Sequence, residues 1–549
     1  MILDLNEMTD GSTVSADICI VGGGIAGIAL ATELLKSAGS SLRVILLESG
    51  GAKIERESQK LNEADIVGLK HGTIRDGRIR ALGGLANIWS GVSIELDSID
   101  FQPRDWVPHS GWPFRKEDLR SYYDRAARFM KLEGRVNIDA NSFPQRHRPP
   151  EYNASKLKHI LAVFGPKPDL RVEYSPWFRS DDRIQVILHA SATMIATNLD
   201  GTAVEEIDIR SLKGRSAKAR ASIFIVACGG VETPRLLLAS DRIDRRGIGN
   251  AHDLVGRFFN EHLHAKLALI KPINRNRIRE IYHRYYYNGI KYFPKILCSE
   301  DVQIEHKILN IFGDVTYEPP PDSTVTAAKF LLRAARHPSL LPNAPRSIFN
   351  ILKRPHELVD AIFRYTFIED TASEKRGDMF LGIQSECEPN PSSRVRLSRS
   401  LDPFGFPRAE LDWRLTDLDR RTLVVFAETV AAEFRRLRLG EIDLDSMNLQ
   451  ANPGEHDRGV YDAGHHMGTT RMHDDPRHGV VDADCKVHGV SNLYIAGSSV
   501  FPTGGAANPT FTIIALCMKL ADRIVAKLAD LTSLDDPSNS ISEAPSASS

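Results

Sequence analysis

The segment Gly464-His465-His466-Met467-Gly468-Thr469-Thr470-Arg471 holds two adjacent histidines, and Asn508 follows His465 by 43 positions in Gly504-Gly505-Ala506-Ala507-Asn508-Pro509-Thr510. An imidazole titrates near neutrality and is the side chain best suited to take a proton from a hydroxyl at physiological pH. A neutral amide can hold the same oxygen without adding charge. His465 and Asn508 are therefore the candidate catalytic pair. Adjacent histidines also invite a metal, but no third or fourth ligand stands at zinc spacing, and His473 and His478 fall in a polar stretch, so no metal is expected. Asn508 has a structural alternative: Asn before Pro509 is a standard helix start, and a side chain that caps its own helix is less free to touch a substrate. Either way, a helix from Pro509 aims the positive end of its dipole at the residues before it.

The second set of chemistry-bearing residues is glycine. Gly22, Gly24 and Gly27 stand at G-x-G-x-x-G spacing after an apolar strand, Asp17 to Val21, and open a helical stretch from Ile25 to Lys36. The first glycine suits a tight turn, the second a close approach of pyrophosphate to bare backbone, and the third helix-on-strand packing. A following strand, Arg43 to Leu47, ends in Glu48, whose carboxylate can accept from ribose hydroxyls and argues against a 2′-phosphate. That unit fits NAD and FAD alike. Near the other end, Asn492 to Ser499 reads as a short strand and small-residue turn, with Gly497, Ser498 and Thr510 as further candidates; a site closed by both ends of the chain suits the longer, retained FAD. A loop with Gly83, Gly84 and Asn87 reads either as backbone lying against a flat ring or as a plain turn.

Three strand-glycine-helix segments must position these residues: Asp17 to Val21, Ser222 to Ala227 and Leu493 to Ala496. They lie near the start, middle and end of 549 residues, which predicts an α/β nucleotide-type domain assembled from separated pieces. Residues 1–115, 180–260 and 455–530 are assigned to it. Residues 116–179 and 261–454 then form an α+β substrate-binding domain, and 531–549, rich in Ser, Asp and Pro, a disordered tail. QVILHA, ATMIAT and AVEEIDIRS between Arg183 and Arg220 read as a meander, and Thr324 to Arg336 and Ser347 to Phe367 as helices. With 70 basic and 71 acidic side chains the formal charge is -1, which gives no reason to expect nucleic acid. Six scattered cysteines without a C-x-x-C pair, no signal-like N-terminus and no spanning apolar run point to the cytoplasm. Residues 329–364 carry seven Lys/Arg against two acids among apolar runs. They are expected to cover the substrate entrance, a peripheral membrane or protein contact being the alternative.

RALGGLANIWSG, GWPFRKEDLRSYYDRAARFM, VACGGVETPRLLLAS, VGRFFNEHLH, NPSSRVRLS with LDWRLTDLD, and the run from HHMGTTRM to VVDADCKVHGVSNLYIAGSSVFPTGGAANPTFT resemble, in order and spacing, the glucose/methanol/choline (GMC) flavoprotein oxidoreductases. The resemblance implies a Rossmann-like FAD-binding domain built from discontinuous segments, joined to a substrate-binding domain with an antiparallel sheet. It also implies oxidation of an alcohol CH-OH by hydride transfer to flavin N5. His465 rather than His466 matches the family's H-x-x-G-T histidine, and Asn508 its later His or Asn; His466 would be structural or orienting. Relatives that attach FAD covalently use a His before the Trp of the G-G-x-x-x-x-W loop, where this chain has Ile88, so noncovalent FAD is expected. The block from His465 onward is most similar to the branch oxidising sugar and aminoglycoside-type hydroxyls. The alternatives are a sterol or aliphatic alcohol, a flavin-containing lyase, or a non-catalytic flavin-bound scaffold. The acceptor (O₂, a quinone or a cytochrome) is not read from residue types.

Overall fold

The computed structural model describes residues 1–534 apart from 38, 40, 140–141, 167–168, 335–343, 368–370, 372–374 and 451–458. Its first sheet is mostly parallel. The strand Ser12–Val21 is central because its second half, ICIV, is apolar on both faces and can be covered by helices above and below. On one side it pairs in parallel with Val44–Leu47, then Ile184–Leu188, then Ile2–Asp4. On the other it pairs with Ser216–Val226, which carries Leu493–Ile495 in parallel and Val204–Arg210 antiparallel, followed by Ser191–Thr197. The three expected segments thus sit side by side. The expected meander is corrected in one strand: Ile184–Leu188 crosses to the other side of Ser12–Val21, between Val44–Leu47 and Ile2–Asp4, and only the other two runs form a meander with Ser216–Val226.

Helix α1 (Ile25–Ser37) packs on this sheet together with the last helix, Thr510–Leu534. The last helix extends four residues past the expected end of the fold; 535–549 lie outside the described residues, and with them the expectation of a disordered tail.

The second sheet is antiparallel, in the order Gly440–Asp443, Leu263–Pro272, Asp378–Ser385, Ile311–Glu318, Ile290–Cys298, Leu157–Phe164 and Val92–Ser93. Two of its strands come from stretches assigned by sequence to the first domain. Val92–Ser93 pairs with Leu157–Phe164, and Val460–Asp462 with Leu263–Pro272. Conversely, the helix Arg120–Phe129, assigned to the second domain, packs on the last helix of the first, where Arg125 pairs with Asp522 at 2.6 Å. A small third sheet joins Arg394–Leu401, Pro407–Asp412 and Ala64–Ile66.

Three helices lie outside the second sheet: α2 (Thr324–Ala334), α3 (Ala344–Lys353) and α4 (Pro355–Phe367). The single helix expected from Ser347 to Phe367 is two. Pro355 disfavours a helical residue before it and has no N–H to continue the ladder, so it starts a new helix. Among the described residues no helix is long and apolar enough to cross a membrane.

Candidate active site

A cavity follows the edge of the first sheet from Gly22, Gly24 and Glu48 to His465, Gly497 and Thr510. Gly22 has φ +108°, and a Cβ there would stand 2.6 Å from the Ala227 carbonyl oxygen, so a side chain is excluded twice. At Gly27 a Cβ would run into the Gly22 carbonyl, the close packing expected of that position. At Gly24 a Cβ would meet nothing within 4 Å, because it would project into the cavity in front of the first turn of α1. Glu48, buried at the end of its strand, accepts from Gly23 N at 3.0 Å through Oε2 and from Gly50 N at 2.7 Å through Oε1. Burial pushes its carboxyl pKa up, against the pull of these donors. Each oxygen keeps a second acceptor position for a hydroxyl donor.

The second glycine loop touches the first: Gly83 N donates to Gly23 O at 2.8 Å, and a Cβ on Gly84 would stand 2.9 Å from Gly24 Cα. Gly84 lines the cavity, with Gly83 behind it. Asn87 is corrected: its Nδ2 donates to Leu82 O at 3.0 Å and Gly84 O at 2.8 Å, so it clamps its own loop rather than facing the cavity. Gly497, with φ +129° and open space on its Cβ side, Ser498 and Thr510 line the opposite wall. Sequence reading missed the charged groups between the two ends. Glu232 is paired with Arg78 and with Arg80 at 2.7 Å, and these cations hold its carboxyl low despite burial.

His465 lies at the far end of the cavity, half-buried, with Asn508 Nδ2 at 3.3 Å from its Nε2. The Asn508 side chain is thus turned to the ring. His465 Nδ1 is 2.8 Å from Nδ1 of His262, a residue of the second domain that is fully buried. Around His262, Nε2 faces the Gly504 carbonyl at 3.4 Å, and Nδ1 faces Gln384 Nε2, also at 3.4 Å. A carbonyl only accepts and an amide N–H only donates, so His262 carries its proton on Nε2 and accepts at Nδ1. The 2.8 Å contact then requires His465 to donate from Nδ1, which leaves Nε2, the atom beside Asn508, as a lone pair. Gln384 is itself fixed, donating to Ala506 O at 2.7 Å and accepting from His264 Nε2 at 2.7 Å.

Glu261 holds the backbone of both rings. Its Oε1 accepts from His262 N at 2.8 Å and His465 N at 2.7 Å. Its Oε2 faces His71 Nε2 at 3.2 Å and His466 Nε2 at 3.8 Å, and Asp462 closes the far side of His71 at 3.4 Å. His71, Glu261 and His466 bring three ligand-type atoms within 4.8 Å of one another, a grouping that linear spacing cannot reveal and that the expectation of no metal did not weigh. His466 packs against His71 and Phe259. Burial, reinforced by His262, His264 and His466, holds the His465 pKa well below its ordinary value; burial likewise holds His262 down to about 4. Both rings are neutral at physiological pH. Sequence reading quoted the VGRFFNEHLH stretch but drew no site residue from it. Glu261, His262 and His264 are its signal, three buried or half-buried polar side chains crowded where the strand Leu263–Pro272 begins.

A family model described as GMC oxidoreductase matches residues 389–517. The chain is 24% identical to 6'''-hydroxyparomomycin C oxidase of Streptomyces lividus over 93% of this chain and 92% of that protein. It is 21% identical to the fructose dehydrogenase large subunit of Gluconobacter japonicus over 94% and 99%. Its fold matches the crystal structure of pyridoxine 4-oxidase from Mesorbium loti with a TM-score of 0.54 at 17% identity, over 92% of this chain and 99% of that one. The cavity fits the cofactor this implies: bare backbone at Gly24 and Gly497, where a Cβ would take up cavity space, a helix N-terminus for phosphate and a buried carboxylate for ribose. Residues 389–517 thus match the GMC oxidoreductase family, and the chain is an FAD-dependent oxidoreductase that acts on CH-OH groups.

Proposed function

We propose that the enzyme oxidises a secondary or primary hydroxyl of a sugar, glycoside or similar polyol, with His465 as general base and Asn508 as the group that holds the substrate oxygen. The observation that carries this reading is the lone pair of His465 Nε2 beside the Asn508 amide. The hydroxyl donates its proton to Nε2 while Asn508 Nδ2 donates to the same oxygen. The charge arising on that oxygen is thereby met from two sides. His262 holds the ring in the one tautomer that can act, and Glu261 holds the backbone of both histidines. Bound FAD supplies the acceptor for the hydride that leaves the carbinol carbon as the carbonyl forms. The first turn of the last helix faces the cavity and favours negative charge there.

Gly22, Gly24, Gly84, Glu48, Gly497, Ser498 and Thr510 hold the cofactor in this reading, noncovalently, since Ile88 stands where covalent attachment needs a histidine. Denaturation should release all the yellow colour into the supernatant. The polyol reading is supported by the sheet face beside His465. It carries His264, Gln384 and, farther out, the Lys295–Asp314 pair at 2.6 Å, interleaved with Phe293 and Phe312, a mixture of donors, acceptors and ring faces suited to a hydroxylated ring. Both curated relatives named above carry carbohydrate-type substrates in their names. The six cysteines are all unpaired, which supports a reducing compartment, the cytoplasm. The test is anaerobic addition of sugars, glycosides, aminocyclitols, sterols and aliphatic alcohols to the holoenzyme. A polyol should bleach the visible flavin band. Bleaching only by sterols or aliphatic alcohols would overturn the substrate class, and product formation without bleaching would favour a lyase.

A further inference from the structure

Helices α3 and α4 are inside out. In α3, Pro345, Ile348, Phe349 and Leu352 fall on one face at helical spacing, and that face points to solvent, Leu352 being 73% exposed. The less exposed face mixes Ser347 and Asn350 with Ala344 and Ile351, and no residue of α3 is buried. In α4, Val359, Ile362, Phe363 and Phe367 point outward, Phe367 being 72% exposed. Its charges point inward: Arg364 pairs with Asp360 at 2.9 Å, and Glu357 with Arg376 at 2.6 Å. Folding against water alone would place these faces the other way round. Single exposed apolar residues need no explanation, but a contiguous patch of this kind does.

We propose that the face formed by α2, α3 and α4 docks on an anionic lipid surface. Charge decides among occupants. Between residues 324 and 367, among the described residues, the exposed Lys, Arg, Asp and Glu side chains are all cationic: Lys329, Arg333, Arg346 and Lys353. Arg346 and Lys353 are seven positions apart and flank the apolar stripe of α3 on one side, the arrangement of a helix lying in a lipid interface. A second copy meeting this face symmetrically would set the basic rim against itself. An anionic bilayer accepts both the apolar stripe and the cations, while the acids are drawn inward into ion pairs. The face also borders the substrate sheet, since Tyr365 of α4 packs edge-on against Tyr286, which pairs with the strand Ile290–Cys298. The described residues between 329 and 364 thus favour the lipid-contact alternative.

The test is co-sedimentation of holoenzyme with vesicles of phosphatidylcholine alone and of phosphatidylcholine with one third phosphatidylglycerol. The proposal expects binding to the anionic vesicles about ten-fold or more stronger than to the neutral ones, and weakened by salt. Phe349→Glu/Leu352→Glu/Phe363→Glu should abolish binding while keeping the flavin spectrum. Arg346→Glu/Lys353→Glu leaves the apolar face intact and should remove the preference for anionic vesicles, so the idea stays testable if the triple variant does not fold. No sedimentation with anionic vesicles would overturn the proposal. So would a concentration-dependent dimer, seen by analytical ultracentrifugation, that the charge-reversal variant weakens.

Discussion

The cofactor cradle and the histidine cluster are two ends of one cavity built on opposite principles. The cradle is backbone: Gly22, Gly24, Gly84 and Gly497 matter for the side chain they lack, and three of the four depend on φ values that other residues rarely adopt. The cluster is side chains, with His71, Glu261, His262, Gln384, Asp462, His465 and Asn508 brought together from five separated segments. A site made of backbone is all-or-none, because one added Cβ blocks it. A site made of hydrogen-bonded side chains is graded, because each partner adjusts the next.

That contrast orders the expected effects. Gly22→Val should be the most damaging, since its side chain meets the Ala227 carbonyl in a backbone conformation a β-branched residue does not tolerate. The ratio of flavin to protein absorbance should fall to background, and a variant that retained full flavin would break the distinction. His262→Ala should instead keep its flavin. It leaves His465 Nδ1 without its acceptor, a loss of roughly 1–3 kcal/mol, about 5- to 160-fold in the rate of anaerobic flavin reduction. A normal rate would show that the tautomer of His465 does not depend on this contact.

The smallest effect is on pH dependence. Protonation removes the base, and because burial lowers the His465 pKa, the acid limb of kcat/KM should fall below pH 6.5, the ordinary histidine value, rather than at it. In His262→Ala a water-filled gap would relieve part of that desolvation and move the limb upward. A wild-type limb at or above 6.5 would mean that the ring is far better solvated than its surroundings imply.

The same contrast explains what was legible beforehand. The glycine spacing, Glu48 and the strand-glycine-helix segments are local patterns, and the first sheet assembled as they required. His465 and Asn508 were readable from their own motifs. His71 and Gln384 were not, because a lone polar residue looks like any other until folding over more than a hundred positions brings it into the cluster. Asn87 failed for the opposite reason: its residue type suited the cavity, but two carbonyls of its own loop were nearer. The domain assignment followed sequence continuity, whereas strand pairing does not: Val92–Ser93 and Val460–Asp462 enter the second sheet from stretches adjoining the first. The two helices α3 and α4 were legible in Pro355, which was passed over.

The central claim is that His465 accepts the hydroxyl proton through an unprotonated Nε2. Stopped-flow measurement of anaerobic flavin reduction in His465→Ala holoenzyme, with the best substrate from the screen, tests it most directly. The account expects retained flavin and a reduction rate lower by roughly 10² to 10⁴. Reduction at the wild-type rate would contradict it and move the base elsewhere in the cavity.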